Sequence, residues 1–262
     1  MVSLNLKVII SLFSIIVSSF SVNAQNEELG DFDYFAKYSD WGFSAARISY
    51  VRPFTSRNDI ADINITTSKG AQINVKYFYH KESEWSFNTG IILTLLQPSK
   101  LSFTLKNQDV FEESQRFFQG KIKGKFYIQF PINAEIKKRL WDNVYFNFNA
   151  GATLFFIDVP TKSVNYTVFD TSVNENKEVF SLDYNNGNTA HLTALFSAGV
   201  YIMFRDFMVQ ADIVFDKTFE NFWDGDYQFK NLLQSQPASG IYSLKGDYFG
   251  FSLTVYFKRK GW

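Results

Sequence analysis

One pattern repeats along the chain and limits what it can fold into. Segments in which apolar residues alternate with small or polar ones are separated by connections that are by turns short and long. Alternation with a period of two places each residue type on one face of a β-strand. The run ending at residue 257 is the clearest: Phe249, Phe251, Leu253, Val255 and Phe257 share a face, with Tyr248, Gly250, Ser252, Thr254 and Tyr256 opposite. Residues 191–204 set Leu192, Ala194, Phe196, Ala198, Val200, Ile202 and Phe204 against His191, Thr193, Ser197, Gly199 and Tyr201. The same reading gives strands at 207–215, 144–157, 122–137, 85–96 and 72–79. An eighth, Trp41 to Arg52, has the weakest alternation, and is read with Ala46, Ile48 and Tyr50 outward and Arg47 and Ser49 inward.

The connections after the second, fourth and sixth strands are tight, at His80–Ser83, Lys138–Asn143 and Arg205–Asp206. The others, 53–71, 97–121, 158–190 and 216–246, are long and polar. Sorting short turns to one end and long loops to the other is the habit of an outer-membrane barrel, whereas a soluble sandwich has no reason for it. The apolar faces of strands three to eight carry no charge in this register. With 30 Phe and 14 Tyr, eight strands enclose too little volume to take those faces inward. The expectation is an all-β, eight-stranded antiparallel transmembrane β-barrel, the size of OmpA or OmpX, with short periplasmic turns and long extracellular loops. A secreted lipocalin-like barrel or a β-sandwich is the alternative architecture.

Residues 1–24 read as a secretory signal peptide: Lys7, an apolar stretch from Val8 to Val17, and small residues ending at Ala24. A membrane anchor is the other reading, for which the run is short and serine-rich. The expected division is then 1–24 signal peptide, 25–39 periplasmic segment, 40–257 barrel and 258–262 periplasmic tail, with the product in the outer membrane. The absence of cysteine excludes a disulfide framework, a thiolate nucleophile and a lipoprotein anchor. Basic and acidic side chains balance at 26 each, so nothing favours nucleic acid as a partner. Motifs for metal, nucleotide or other cofactors are absent, and none is expected. The expected partners are outer-membrane lipid and lipopolysaccharide, and other outer-membrane proteins.

Tyr127-Ile128-Gln129-Phe130-Pro131-Ile132, followed by Phe148-Asn149-Ala150-Gly151-Ala152, resembles strand motifs of small outer-membrane β-barrel proteins of Gram-negative bacteria. The resemblance is nearest to the porin-like, PorT-type barrels of Bacteroidetes. It implies the same barrel architecture over residues 40–257. It departs at the end, where Phe257 is followed by Lys258-Arg259-Lys260-Gly261-Trp262 instead of closing the chain.

Two groups of residues are candidates for function. Arg47, Lys76, Lys123, Lys125, Glu135, Lys137 and Asp212 face the interior in this register and form either a structural ion-pair network or the lining of a narrow gated pore. Phe111, Phe117, Phe118, Phe219, Phe222, Trp223, Tyr227 and Phe229 make the long loops more aromatic than solvated loops need to be. They form either an extracellular cap or a contact surface for a partner. Catalysis would have to use His191 with Ser181 and Asp183, a weak constellation, and the chain is read as non-catalytic. The function expected is a structural or protein-interaction role in the cell envelope, with an accessory subunit of a larger secretion, uptake or barrel-assembly complex as the competing reading.

Overall fold

The structure, a computed structural model, describes residues 32–260 except 52, 57, 67–68, 98, 110, 113–114, 123–125, 158–162 and 185–188. The expected signal peptide and the candidates Lys123 and Lys125 lie outside the described residues. After a short helix, α1 (Asp33–Ala36), the chain forms β1 (Trp41–Tyr50), β2 (Phe54–Thr55), β3 (Asn64–Ile65), β4 (Lys69–Tyr79), β5 (Trp85–Leu96), β6 (Ser99–Thr104), β7 (Phe117–Ile122) and β8 (Phe126–Trp141). There follow β9 (Val144–Ile157), β10 (Val164–Asp170), β11 (Glu175–Tyr184), β12 (Ala190–Met203), β13 (Phe207–Thr218), β14 (Asn221–Phe229), β15 (Ala238–Lys245) and β16 (Tyr248–Phe257).

Eight of these close a barrel in the order β1-β16-β13-β12-β9-β8-β5-β4, every neighbouring pair antiparallel. Following paired residues once around, Gln129 leads through Ile92, Asn74, Ser44, Thr254, Gln210, Tyr201 and Tyr145 to Arg139. The circuit returns to β8 shifted by 139 − 129 = 10 residues. A stagger of this size tilts the strands by roughly 40–45° from the barrel axis. On β8 the outward residues Phe126, Ile128, Phe130, Ile132, Ala134 and Ile136 are uninterrupted by charge. At ~3.3 Å per residue that run is about 33 Å along the strand and about 24 Å along the axis, the height of a bilayer's apolar band.

From β4 to β16, outward and inward faces fall as the alternation predicts. Ile73, Phe87, Leu93, Ile132, Leu154, Leu192, Ile213 and Phe251 are exposed, while Gln72, Asn88, Gln129, Glu135, Asn149, Thr193, Asp212 and Thr254 are buried. Strand β1 is the exception. Its inward residues are Gly42, Ser44, Ile48 and Tyr50, and its outward residues are Trp41, Phe43, Ala45 and Arg47, the reverse of the expected register. Two things decide the reversal. Trp41 and Phe43 place more apolar surface outside than Ala46 could, and Ile48 and Tyr50 meet an apolar roof at the long-loop end, where Tyr50 packs against Tyr248 at 5.5 Å.

The long connections are not irregular loops. They carry β2, β3, β6, β7, β10, β11, β14 and β15, which form a five-stranded sheet, β10-β11-β14-β15-β2, and a three-stranded sheet, β3-β6-β7. The two sheets enclose an aromatic core continuous with the barrel mouth. The short turns lie at the opposite end, which α1 closes.

Candidate functional site

The lumen is filled by its own side chains. Lys76 Nζ lies 3.9 Å from Asp212 Oδ2 and 3.4 Å from Gln210 Oε1, so this pair of the expected network does form. Around it runs a ladder of amides. Tyr256 donates its hydroxyl to Gln210 Oε1 at 2.8 Å, and Gln210 Nε2 donates to Asn147 Oδ1 at 3.3 Å. Asn149 donates to Asn147 at 3.0 Å, Asn88 to Asn149 at 2.9 Å and Asn133 to Asn88 at 2.9 Å. Nearer the long-loop end Gln72, Thr94 and Gln129 bond to one another at 3.1–3.2 Å. Glu135 is fully buried, and both its oxygens accept from the Tyr201 hydroxyl at 3.0 Å. The cavity left between Asn74, Lys76, Asn133, Asp212 and Tyr248 measures about 40 Å³. At ~10–15 Å³ each, that holds about three waters.

Not all of the seven expected lumen charges belong here. Arg47 points outward, because β1 takes the opposite register. Lys137 faces inward two residues below Glu135, and its ammonium donates to the Lys81 carbonyl at 2.5 Å while lying 4.4 Å from the Phe35 ring centroid. The amides and the buried tyrosines do more of the filling than the charges, and the inward polar face of each strand already identified them.

Both mouths are closed. At the short-turn end Phe35, from α1, is completely buried, edge-on to Tyr145 at 5.0 Å and Tyr201 at 5.2 Å. The plug is tied in place. Tyr38 donates its hydroxyl to the Phe204 carbonyl at 2.7 Å, and Lys81 Nζ reaches the Tyr38 carbonyl at 2.5 Å and Asp40 at 3.1 Å. Arg259, in the C-terminal tail, takes the other Asp40 oxygen, and its backbone N–H bonds the Lys37 carbonyl at 2.9 Å. Burial lowers the Lys81 ammonium from its usual value, with Asp40 pulling the other way.

At the other mouth, Phe222 packs at a tilt against Phe155 at 4.4 Å and against the His191 ring at 5.1 Å. Above it Phe103 packs on Phe180 at 4.7 Å and Phe229 at 5.1 Å, and Phe118 on Tyr166 at 4.6 Å. This corrects the contact-surface reading of the loop aromatics. Phe222, Trp223, Tyr227 and Phe229 are buried, and Phe111 and Phe118 pack partly buried against the same core. Each ring withdrawn from water gains about 1.5–3 kcal/mol, so two sheets form around them instead of leaving them on loops. Only Phe117 and Phe219 remain exposed, at 57% and 68%. In the β10–β11 hairpin, Asp170 accepts from Lys177 at 2.5 Å and from the Ser172 hydroxyl at 2.6 Å, which hold its carboxyl down at about 2.

His191 is buried at the rim of the barrel, with Nδ1 3.8 Å from Glu220. Ser181 and Asp183 sit in the cap sheet instead, Ser181 opposite Asn165 and Gln228, Asp183 opposite Asp226. Among the described residues no group of three or more His, Cys, Asp or Glu side chains could hold a metal ion.

The class defined by these features is a closed, capped, internally filled eight-stranded antiparallel barrel. No protein-family model matches the chain, and no curated protein matches its sequence. Among solved structures it is similar to the outer membrane protein OprG from Pseudomonas aeruginosa, with a TM-score of 0.43 at 8% identity over 85% of this chain and 98% of that one. It is also similar to the CymD monoaromatic hydrocarbon channel, with a TM-score of 0.28 at 7% identity over 88% and 91% of the two chains. For the transport unit of the autotransporter AIDA-I from Escherichia coli the values are 0.24 and 9%, over 84% and 89%. The fold assignment rests on the strand pairing within this chain.

Proposed function

We propose that the protein is a closed, non-catalytic barrel of the outer membrane, with a structural or protein-interaction role in the envelope. The single observation that carries this is the combination of an apolar outer wall about 24 Å high with a lumen plugged at both ends. In this reading the short turns, the plug and the C-terminal tail face the periplasm, and the two cap sheets are extracellular. The expected signal peptide supports export, and the strand Tyr127–Ile132 supports kinship with the PorT-type barrels of Bacteroidetes.

The test is conductance in planar lipid bilayers after reconstitution. Silence at all voltages is expected, because Phe35, the amide ladder and the cap aromatics stand in series along the lumen. Steady single-channel currents that change on Glu135→Gln would replace this reading with a gated pore.

A second reading is favoured by Phe117 and Phe219, which remain exposed on or beside the cap, and makes the protein an accessory subunit of a larger envelope complex. Extraction in mild detergent separates the two: a partner recovered in fixed stoichiometry supports the subunit, and a lone barrel supports the free-standing role.

A further inference from the structure

The barrel wall sorts its charges by sign. The acids of the barrel strands, Glu135, Asp212 and Asp216, all turn inward and are buried. The charged residues at outward positions are all cations: Arg47 on β1, Lys69 on β4, Lys217 on β13 and, at the short-turn end, Lys138 on β8. The three at the cap end share one half of the wall, since β4, β1, β16 and β13 are consecutive around the barrel. On the other half the outward residues at that end are Leu192, Phe156, Phe126 and Leu95.

Arg47 and Lys69 are neighbours. Arg47 pairs in register with Ala71 and Ser49 with Lys69, so the two cations lie diagonally across adjacent strands, roughly 7–8 Å apart at the backbone. Lys217 is engaged by Asp247. Neither Arg47 nor Lys69 has an ion-pair partner among the described residues, and both are exposed. Measured from Trp41 in the lower aromatic girdle, Arg47 stands about 14 Å up the barrel axis and Lys69 about 19 Å at ~2.4 Å per tilted residue. Both side chains can extend further upward, which brings Lys69 to the top of the ~25 Å apolar band while Arg47 snorkels towards it from below. Below them the wall presents Phe43, Ile73 and Phe251.

A cation near the outer headgroup level and a second that reaches up towards it from the apolar wall, neither with an ion-pair partner among the described residues, match a lipid whose headgroup carries phosphate. We propose that Arg47 and Lys69 bind the phosphorylated sugar headgroup of lipopolysaccharide, with its acyl chains along Phe43, Ile73 and Phe251. The Arg47 guanidinium supplies two parallel donors to phosphate oxygens and Lys69 supplies a point charge. The inference rests on the outer-membrane reading above.

The test uses the whole folded protein in phosphatidylcholine nanodiscs, with retained lipid counted by native mass spectrometry during titration with lipid A. The wild type retains lipid A. The double variant Arg47→Gln/Lys69→Gln binds it at least about tenfold more weakly, a loss of about 1.4 kcal/mol. Lys138→Gln, at the opposite rim, binds as the wild type does, and lipid A stripped of its phosphates is not retained. Equal retention by wild type and double variant, or of the stripped lipid, overturns the proposal while the barrel stays in the bilayer. Failure of the wild type to insert into phospholipid of any composition overturns the outer-membrane reading and this inference with it.

Discussion

The Lys76–Asp212 pair tests whether the lumen is filled by side chains or open to bulk water. At 3.9 Å, with both side chains nearly buried, the attraction is about 4 kcal/mol at an effective dielectric constant of ~20, but only about 1 kcal/mol in bulk water. Desolvation offsets much of the larger figure, so the pair adds little net stability, yet breaking it strands a buried charge. Lys76→Met and Asp212→Asn should each cost about 3–5 kcal/mol. The double variant should cost less than the two together, with a coupling on the order of 2 kcal/mol. The assay is reversible urea unfolding from lipid vesicles, followed by tryptophan fluorescence. Trp41, Trp85 and Trp141 sit on the outer wall and report insertion, while Trp223 in the cap reports whether that core stays intact. A coupling within ~0.5 kcal/mol of zero would mean that water screens the pair, and would refute a filled lumen.

Further consequences can be measured. Phe35→Ala should cost about 3–5 kcal/mol of local stability at the plug, seen as faster hydrogen exchange at Phe35–Tyr38, while bilayer conductance stays silent because the cap still closes the other mouth. Gly199→Val should prevent barrel closure, since a Cβ there would lie 1.9 Å from the Ala211 carbonyl oxygen; loss of heat-modifiable migration on gels reports it. Asp170 has a folded pKa below its unfolded value, so its contribution is fully present above about pH 4 and is lost as pH falls towards 2. Asp170→Asn should therefore flatten the acid dependence of proteolysis at the β10–β11 hairpin, and an unchanged profile would count against the Lys177 and Ser172 contacts. Phe229→Ala should cost about 3–5 kcal/mol in the cap while leaving the barrel strands protected from exchange, which would make the cap a separable unit.

The strands from β4 to β16 that build the barrel were legible in the sequence because one face is an exposed apolar wall and the other packs against polar side chains in the lumen. Residues such as Phe251 and Ser252 cannot exchange places without putting a polar group on an apolar wall, so local alternation fixes the register. The same rule misled on β1, whose upper residues Ile48 and Tyr50 turn inward onto the apolar roof and look, from the sequence, like wall. In β14 the alternation Trp223, Gly225, Tyr227, Phe229 against Asp224, Asp226 and Gln228 is equally regular, and could have been read as a strand. It was hidden by its place in a long polar connection.

What the sequence determined by itself was the barrel: strand number, turn lengths, the sorting of polar residues inward, and the acids kept off the wall. The tertiary structure alone decided that the loops fold into two sheets over one mouth, that Phe35 from a four-residue helix fills the other, and that Arg47 and Lys69 stand together on the outside. The reason is range. Alternation is written between neighbours two residues apart, whereas the plug joins residues 35 and 201, and the cap core joins residues 103 and 229. Those contacts exist only once the barrel has closed and brought them together.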